Sequence, residues 1–365
     1  MPARVLSFLV ALALSAAAYA EEPYRLAVIA PLSGEYASLG AFLRNGIQLA
    51  LSRRAPADLA RIEVLYEDDQ LDPKRSLTAY RRLVDTQGAR AVIVFGSAVA
   101  HALSPLAEKE GVLLIAIAAS DPKIALGKQW SFIHWIAPEE EARVMVEEIK
   151  RRGYRRLGLL RQEQEGILAW NGHFQELLRS QDLARRVALE ESHAMDVRDF
   201  KLFIAKAKAA DVDGVCVTVF PGALSAFAKQ ARDLGLRAGI FGAESFEDWS
   251  EVRAAEGALQ GAWYAYADDA SESFQSAYRR SYGEPPGYGA SNAFDVANIL
   301  LDALALRGVG NLELRNALSG LKNYCGACGC YSATGDHRFT LPVILKRVTP
   351  AGFEKLRSES RGGGG

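Results

Sequence analysis

The chain has 365 residues, 49% of them hydrophobic and 24% charged, a globular balance with enough length for two cores rather than one. Its formal net charge of -1 leaves no basic field to hold nucleic acid and no polybasic segment for a membrane surface, so the partner to expect is a small ligand or another protein.

In chain order, the opening stretch MPARVLSFLVALALSAAAYA sets Arg4 ahead of an apolar run from Val5 to Ala18 and ends on Ala18-Tyr19-Ala20, a small-x-small cleavage site. Residues 1–20 therefore read as a secretory signal peptide. The alternative, a membrane anchor, needs roughly 20 apolar residues, more than this run supplies, and no cysteine follows that could carry a lipid. The mature chain is expected to begin near Glu21 and to leave the cytoplasm. At the far end, residues 357–365 close on SESRGGGG, have nothing apolar to bury and read as a disordered tail.

Between these ends, short β-branched runs alternate with segments of helical period. RLAVIA after Tyr24, RIEVLYE (61–67), ARAVIVF (89–95), GVLLIAI (111–117), RRLGLL (155–160), DGVCVTVF (213–220) and GIFGA (239–243) read as strands. GAFLRNGIQLALSRR, DPKRSLTAYRRLVDTQG, AHALSPLAEKEG, EEEARVMVEEIKRRG and DFKLFIAKAKAA read as helices, several stopped by Gly88, Gly111 and Gly153. This alternation predicts an α/β fold of parallel sheets with helices on both faces. The pattern restarts at Tyr154, which predicts two doubly wound, Rossmann-like lobes. Such sheets bind ligands beyond the carboxyl ends of their strands, so the loops there, facing a cleft between lobes, are the place to look for function.

Motifs of catalysis are missing. His101, His134, His173, His193 and His337 are scattered, and the chain has no G-x-S-x-G elbow, no H-E-x-x-H and no phosphate-binding loop. Asp68 and Asp69 are adjacent at a strand end and point to opposite sides, which disqualifies them as a catalytic pair. No enzyme activity and no cofactor are expected.

Four stretches carry a resemblance: APLSGEYASLGAFLRNGIQLA (30–50), YEDDQLDPKRSLTAYRRLV (66–84), FGSAVAHALSPLAEKEGVLLIAIAASDP (95–122) and YRRSYGEPPGYGASNAFDVANILLDAL (278–304). In this order, from Tyr24 to about Phe353, the chain resembles the periplasmic solute-binding proteins of ABC importers for branched-chain amino acids and related amides. The resemblance implies the type I periplasmic binding protein fold, two lobes joined by three crossovers: residues 22–138 plus 265–338 in lobe one, 139–264 plus 339–356 in lobe two. It implies a monomer in the periplasm that captures an amino acid, amide or small carboxylate by hinge closure and delivers it to an ABC permease in the inner membrane. The same fold also serves as a ligand sensor for receptors and kinases, which is the alternative reading.

The resemblance also carries residues. Ser97 falls where the family binds the ligand carboxylate, and the free N–H groups of the helix that opens there suit an anion; as a plain helix N-cap it would suit the same position. Ala118 and Ser120 match a backbone carbonyl and a hydroxyl that hold the ligand's amino and carboxylate groups. Glu244 in GAESFEDW matches an acidic acceptor of the ligand ammonium. Phe220 and Leu39 match wall residues, while Trp170 and Tyr36 are further candidates for the pocket. Gly166 departs from the family, which often has a tyrosine there, and so implies a ligand of different size or shape.

NYCGACGCY (323–331) holds three of the four cysteines, with His337 beyond them, and the resemblance places it on an exposed hairpin away from the cleft. Export favours a disulfide, and Cys325 with Cys330 closes a hairpin-sized loop with less strain than the shorter spacings. A zinc site of Cys325, Cys328, Cys330 and His337 is the alternative, and Cys216 is expected to be a buried core thiol.

Overall fold

Uninterrupted apolar runs become central strands because both of their faces are covered by helices. In the computed structural model, which describes residues 22–305 and 310–357, β1 (Tyr24–Ala30), β3 (Ala91–Phe95) and β4 (Leu113–Ile117) occupy the middle of a five-stranded sheet. Its order is β2-β1-β3-β4-β5, with β2 (Ile62–Asp68) and β5 (Ser131–Ile133) at the edges and every pair parallel. The crossover helices are α1 (Ala37–Leu51), α2 (Pro73–Arg81) and α3 (Ser97–Glu110). Asp72 caps α2 by accepting the Lys74 and Arg75 amides, and Gly111 in the left-handed region closes α3, as its position after the last periodic residue predicts. The expected signal peptide (1–20) and, apart from Arg357, the expected tail (357–365) lie outside the described residues.

The second sheet has seven strands in the order β14-β13-β10-β9-β8-β6-β7. It is built from β6 (Leu157–Gln162), β7 (Val187–His193), β8 (Gly214–Thr218), β9 (Gly239–Gly242) and β10 (Trp263–Ala267), all parallel, and is extended antiparallel by β13 (Val343–Thr349) and β14 (Gly352–Arg357). Helices α4 (Pro138–Arg152), α5 (Glu165–Ser180), α6 (Lys201–Ala209), α7 (Ala223–Asp233) and the short α8 (Trp249–Ala254) cover it.

After β10 the chain goes back to the first lobe through α9 (Glu272–Tyr282), α10 (Ala290–Ala305) and α11 (Asn311–Ser319). The return is pinned by the Tyr282 hydroxyl donating to the Asn45 carbonyl at 2.9 Å and by the Tyr24 hydroxyl donating to Asn311 Oδ1 at 2.9 Å. The sheet holds the chain through Ala267, past the crossover expected at 264, because Trp263–Ala267 is a strand wedged between β9 and β13. It takes the chain up again at Val343 rather than 339, since the His337 carbonyl is still bonded to the Ile133 amide of lobe one at 3.0 Å.

The cysteine hairpin is β11 (Tyr324–Gly326) and β12 (Gly329–Tyr331), in which Cys325 and Cys330 are directly opposed and disulfide-linked. That bond consumes two of the four zinc ligands considered above, while Cys328 stays free and Cys216 is buried on β8. The hairpin is seated on Asp295 of α10, whose carboxylate accepts the Ala327 and Cys328 amides at 2.6 and 2.9 Å. Gly326 permits the approach: a Cβ there would stand 2.4 Å from Asp295 Oδ1. Asp68 and Asp69 are spent locally. The former accepts the Leu32 and Ser33 amides at 2.8 and 3.2 Å, and the latter accepts the Leu71 amide at 2.9 Å and the Ser76 hydroxyl at 2.8 Å.

Candidate functional site

The strand-end loops of the two sheets face each other across a cavity. On the lobe-one side β3 ends at Phe95, Gly96 turns the chain with φ 89°, and α3 begins at Ser97. Gly96 is therefore the N-cap, and the Ser97 hydroxyl makes no capping bond. It accepts instead the amide of Ser120 at 2.9 Å, tying the loop after β3 to the loop after β4. The first intrahelical bond of α3 runs from the Ala100 amide to the Gly96 carbonyl, which leaves the Ser97, Ala98 and Val99 amides at the positive end of a four-turn dipole. Ala118 takes φ 55°, a left-handed value that costs a non-glycine residue about 1–2 kcal/mol and that turns the loop out of β4.

On the lobe-two side, Glu244 follows β9 and lines the cavity, with one carboxylate oxygen accepting the Tyr288 hydroxyl of lobe one at 3.0 Å. Burial pushes its carboxyl up from the ordinary glutamate value, against the pull of that hydrogen bond. Gln164 caps α5 by accepting the Ile167 amide at 3.1 Å. Asn171 donates to Thr218 Oγ1 at 2.9 Å, fixing the loop that carries Phe220. The positive end of α7 is already occupied, since Glu251 accepts the Gly222 and Ser225 amides. No Lys, Arg or His lines the cavity among the described residues, so a ligand anion is left to helix amides and hydroxyls.

Leu39, Ser97, Ala118, Ser120, Trp170, Phe220 and Glu244 all line this one cavity. Tyr36 does not; its ring meets Phe220 edge-on, with centroids 5.0 Å apart, where the lobes touch. Gly166 also lines the cavity, and a Cβ there would lie 2.7 Å from Ser97 Oγ, so its bareness lets the start of α5 approach the start of α3. Sequence reasoning missed Leu71, Phe95, Ile167 and Asp248 in the lining, and Tyr288 as the partner of Glu244. The signal for Tyr288 was present, because GYGASNAF belongs to a stretch that carries the resemblance.

Residues 23–353 match the periplasmic binding protein family. The chain belongs to that family. Relatives of this periplasmic binding protein include the Leu/Ile/Val-binding protein homolog 3 of Brucella melitensis, 22% identical over 322 residues that cover 85% of this chain and 82% of the relative. The leucine-, isoleucine-, valine-, threonine- and alanine-binding protein of Pseudomonas aeruginosa is 24% identical over 279 residues, covering 73% of this chain and 69% of its own. A substrate binding protein of a branched-chain amino acid transporter from Streptococcus pneumoniae, solved with isoleucine, superposes with a TM-score of 0.83 at 20% identity and covers 92% of this chain and 99% of that one. A solute binding protein of an ABC transporter from R. palustris, solved with benzoate, gives 0.83 at 18% identity, over 92% of this chain and 96% of its own. Family and fold are those of solute-binding proteins rather than enzymes.

Proposed function

We propose that this periplasmic binding protein captures an amino acid with an apolar side chain and, as a monomer, presents it to an ABC permease in the inner membrane. The observation that carries this reading is the opposition, across one largely apolar cavity, of an anion-holding end in lobe one and the Glu244 carboxylate in lobe two. Ser97, Ser120 and the first amides of α3 suit the ligand carboxylate. The Ala118 carbonyl and Glu244 suit the ammonium, and Leu39, Phe220 and Trp170 the side chain. A zwitterion satisfies both ends together, whereas a ligand without an amine leaves the buried Glu244 charge with the Tyr288 hydroxyl and no cation. Closure is a hinge motion about the three crossovers, stabilised by ligand contacts to both lobes. The relatives named for leucine, isoleucine and valine fit this class of ligand.

A second reading, a plain aromatic carboxylate, is favoured by the rings of Phe95, Trp170 and Phe220 in the wall and by the benzoate in a neighbour of the same fold. Thermal-shift and calorimetric screens of the mature chain separate the two. Leucine, isoleucine, valine or phenylalanine at about a thousand times its Kd is expected to add roughly 4 kcal/mol to unfolding. Stabilisation by benzoate and by no amino acid supports the second reading; stabilisation by neither overturns both.

A further inference from the structure

Helix α3 carries two stripes. Val99, Ala100, Leu103 and Ala107 are its buried apolar residues, while Ser97, His101, Ser104 and Glu108 recur at intervals of four, three and four residues and so share a second face. Each of these four is bonded to the segment 118–130 that follows β4, in the same order along both chains of residues. The Ser97 hydroxyl accepts the Ser120 amide at 2.9 Å, and His101 Nε2 stands 2.7 Å from Asp121 Oδ2. The Lys128 ammonium donates to Ser104 Oγ at 2.8 Å, and the Glu108 carboxylate accepts the Gln129 and Trp130 amides at 2.9 Å. Because an ionised carboxylate only accepts, the His101 ring is the donor to Asp121.

Hydrophobic contact is non-directional, whereas a ladder of hydrogen bonds fixes which residue faces which. What this ladder fixes is one wall of the cavity. Ala118, with its left-handed backbone, and Ser120 both line the cavity beside the start of α3. Ser97, the first rung, is itself a lining residue, but His101 and Asp121, the second rung, are not. Asp121 is anchored on its far side as well, its Oδ1 accepting the Lys123 amide at 3.0 Å. Lys128 closes the turn on itself by donating to the Lys123 and Ile124 carbonyls at 3.0 and 2.9 Å. The loop that leaves β4 is thereby held to α3 by side chains that stand outside the ligand's reach.

We propose that His101 is a positioning residue for the carboxylate end of the ligand: through Asp121 it holds Ala118 and Ser120 in register with the first amides of α3. This role rests on the reading of that end as the anion site, which the amino-acid and aromatic-carboxylate readings share. Loss of the rung should therefore weaken any carboxylate ligand, with or without an amine, whereas a change at Glu244 acts on the amine end alone.

The test is calorimetry of leucine and of benzoate binding to the mature chain carrying His101→Ala, His101→Gln or Ser104→Ala, beside amide hydrogen exchange of the ligand-free proteins. Whichever of the two ligands the wild type binds, His101→Ala should bind about tenfold more weakly, the loss of one charge-assisted hydrogen bond. His101→Gln, whose side-chain amide can donate in place of the ring, should restore affinity to within about twofold. Ser104→Ala, one rung further from the cavity, should lower stability and leave affinity within about twofold of the wild type, which general loosening of α3 would not do. In His101→Ala the Ser120 amide should exchange about tenfold faster while that of Ile115 in β4 is unchanged. Wild-type affinity in His101→Ala, a loss that glutamine does not restore, or an unchanged Ser120 amide overturns the proposal. If His101→Ala does not fold, Asp121→Ala breaks the same rung from the other side and is held to the same affinity and exchange outcomes. Binding of neither ligand by the wild type strikes the functional reading instead, and exchange at Ser120 then decides whether His101 holds the loop.

Discussion

Ser97, Gly166 and Glu244 show how single side chains set the site. The Ser97 hydroxyl is held by the Ser120 amide, so any group placed at 166 meets a fixed obstacle. Gly166→Ala should therefore oppose closure at a cost of about 1–3 kcal/mol, seen as roughly fivefold to hundredfold weaker ligand binding with little change in unliganded stability. Glu244→Gln removes a charge-assisted hydrogen bond worth about 1.5–3 kcal/mol and should weaken amino-acid binding by about tenfold to hundredfold while sparing benzoate. Equal losses for both ligands would contradict the amine role. The buried carboxyls Glu141 and Glu244 also carry a sign for stability. Both are raised in the folded state, so at these two groups the folded protein binds protons more tightly than the unfolded chain, and their contribution to stability is fully present below the ordinary value of 4.5 and is lost as pH rises above it. Thermal unfolding followed against pH should show that decline, and Glu141→Gln should flatten it.

Among the elements, helix termini and one hairpin divide the work. The start of α3 is left open to the cavity, whereas that of α7 is quenched by Glu251, so one electrostatic end is offered to a ligand and the other is kept for the fold. The β11–β12 hairpin lies away from the cavity lining, seated on Asp295 and crosslinked by Cys325–Cys330. Replacing both cysteines with serine should lower stability by about 2 kcal/mol, the entropy of a loop this short, and leave ligand affinity unchanged. Denaturant unfolding beside calorimetry checks both halves of that statement.

For the molecule as a whole, the lobes also touch at the margin of the ligand site. Arg198 of lobe two donates to Glu35 of lobe one at 2.9 Å, and Tyr36 meets Phe220. The ion pair is partly exposed and worth about 0–1 kcal/mol, so Arg198→Ala should weaken ligand binding by no more than about fivefold, an effect that added salt erases. A larger loss, or one insensitive to salt, would mean that Arg198 holds the loop rather than the closed state. Small-angle scattering should show the variant more open when empty and equally closed when liganded.

The sequence by itself determined the strands whose apolar runs are buried on both faces, the glycine stops of α3 and α4, and the loops after Phe95 and Ile117 that line the cavity. It left β7 unread because VALEESH is an edge strand whose outward residues are charged, and β10 because WYAYA lacks the β-branched residues that mark a strand. Resemblance, not periodicity, pointed to Glu244, which composition alone would have left on an acidic surface turn. Only the tertiary structure decided that Gly166 stands against Ser97, that Tyr288 holds Glu244, and that Glu141 is buried without a hydrogen-bond partner. Each of these depends on distance between residues far apart in the chain. Local pattern sets which face of a helix is apolar, but the closing of one lobe on the other sets what that face meets.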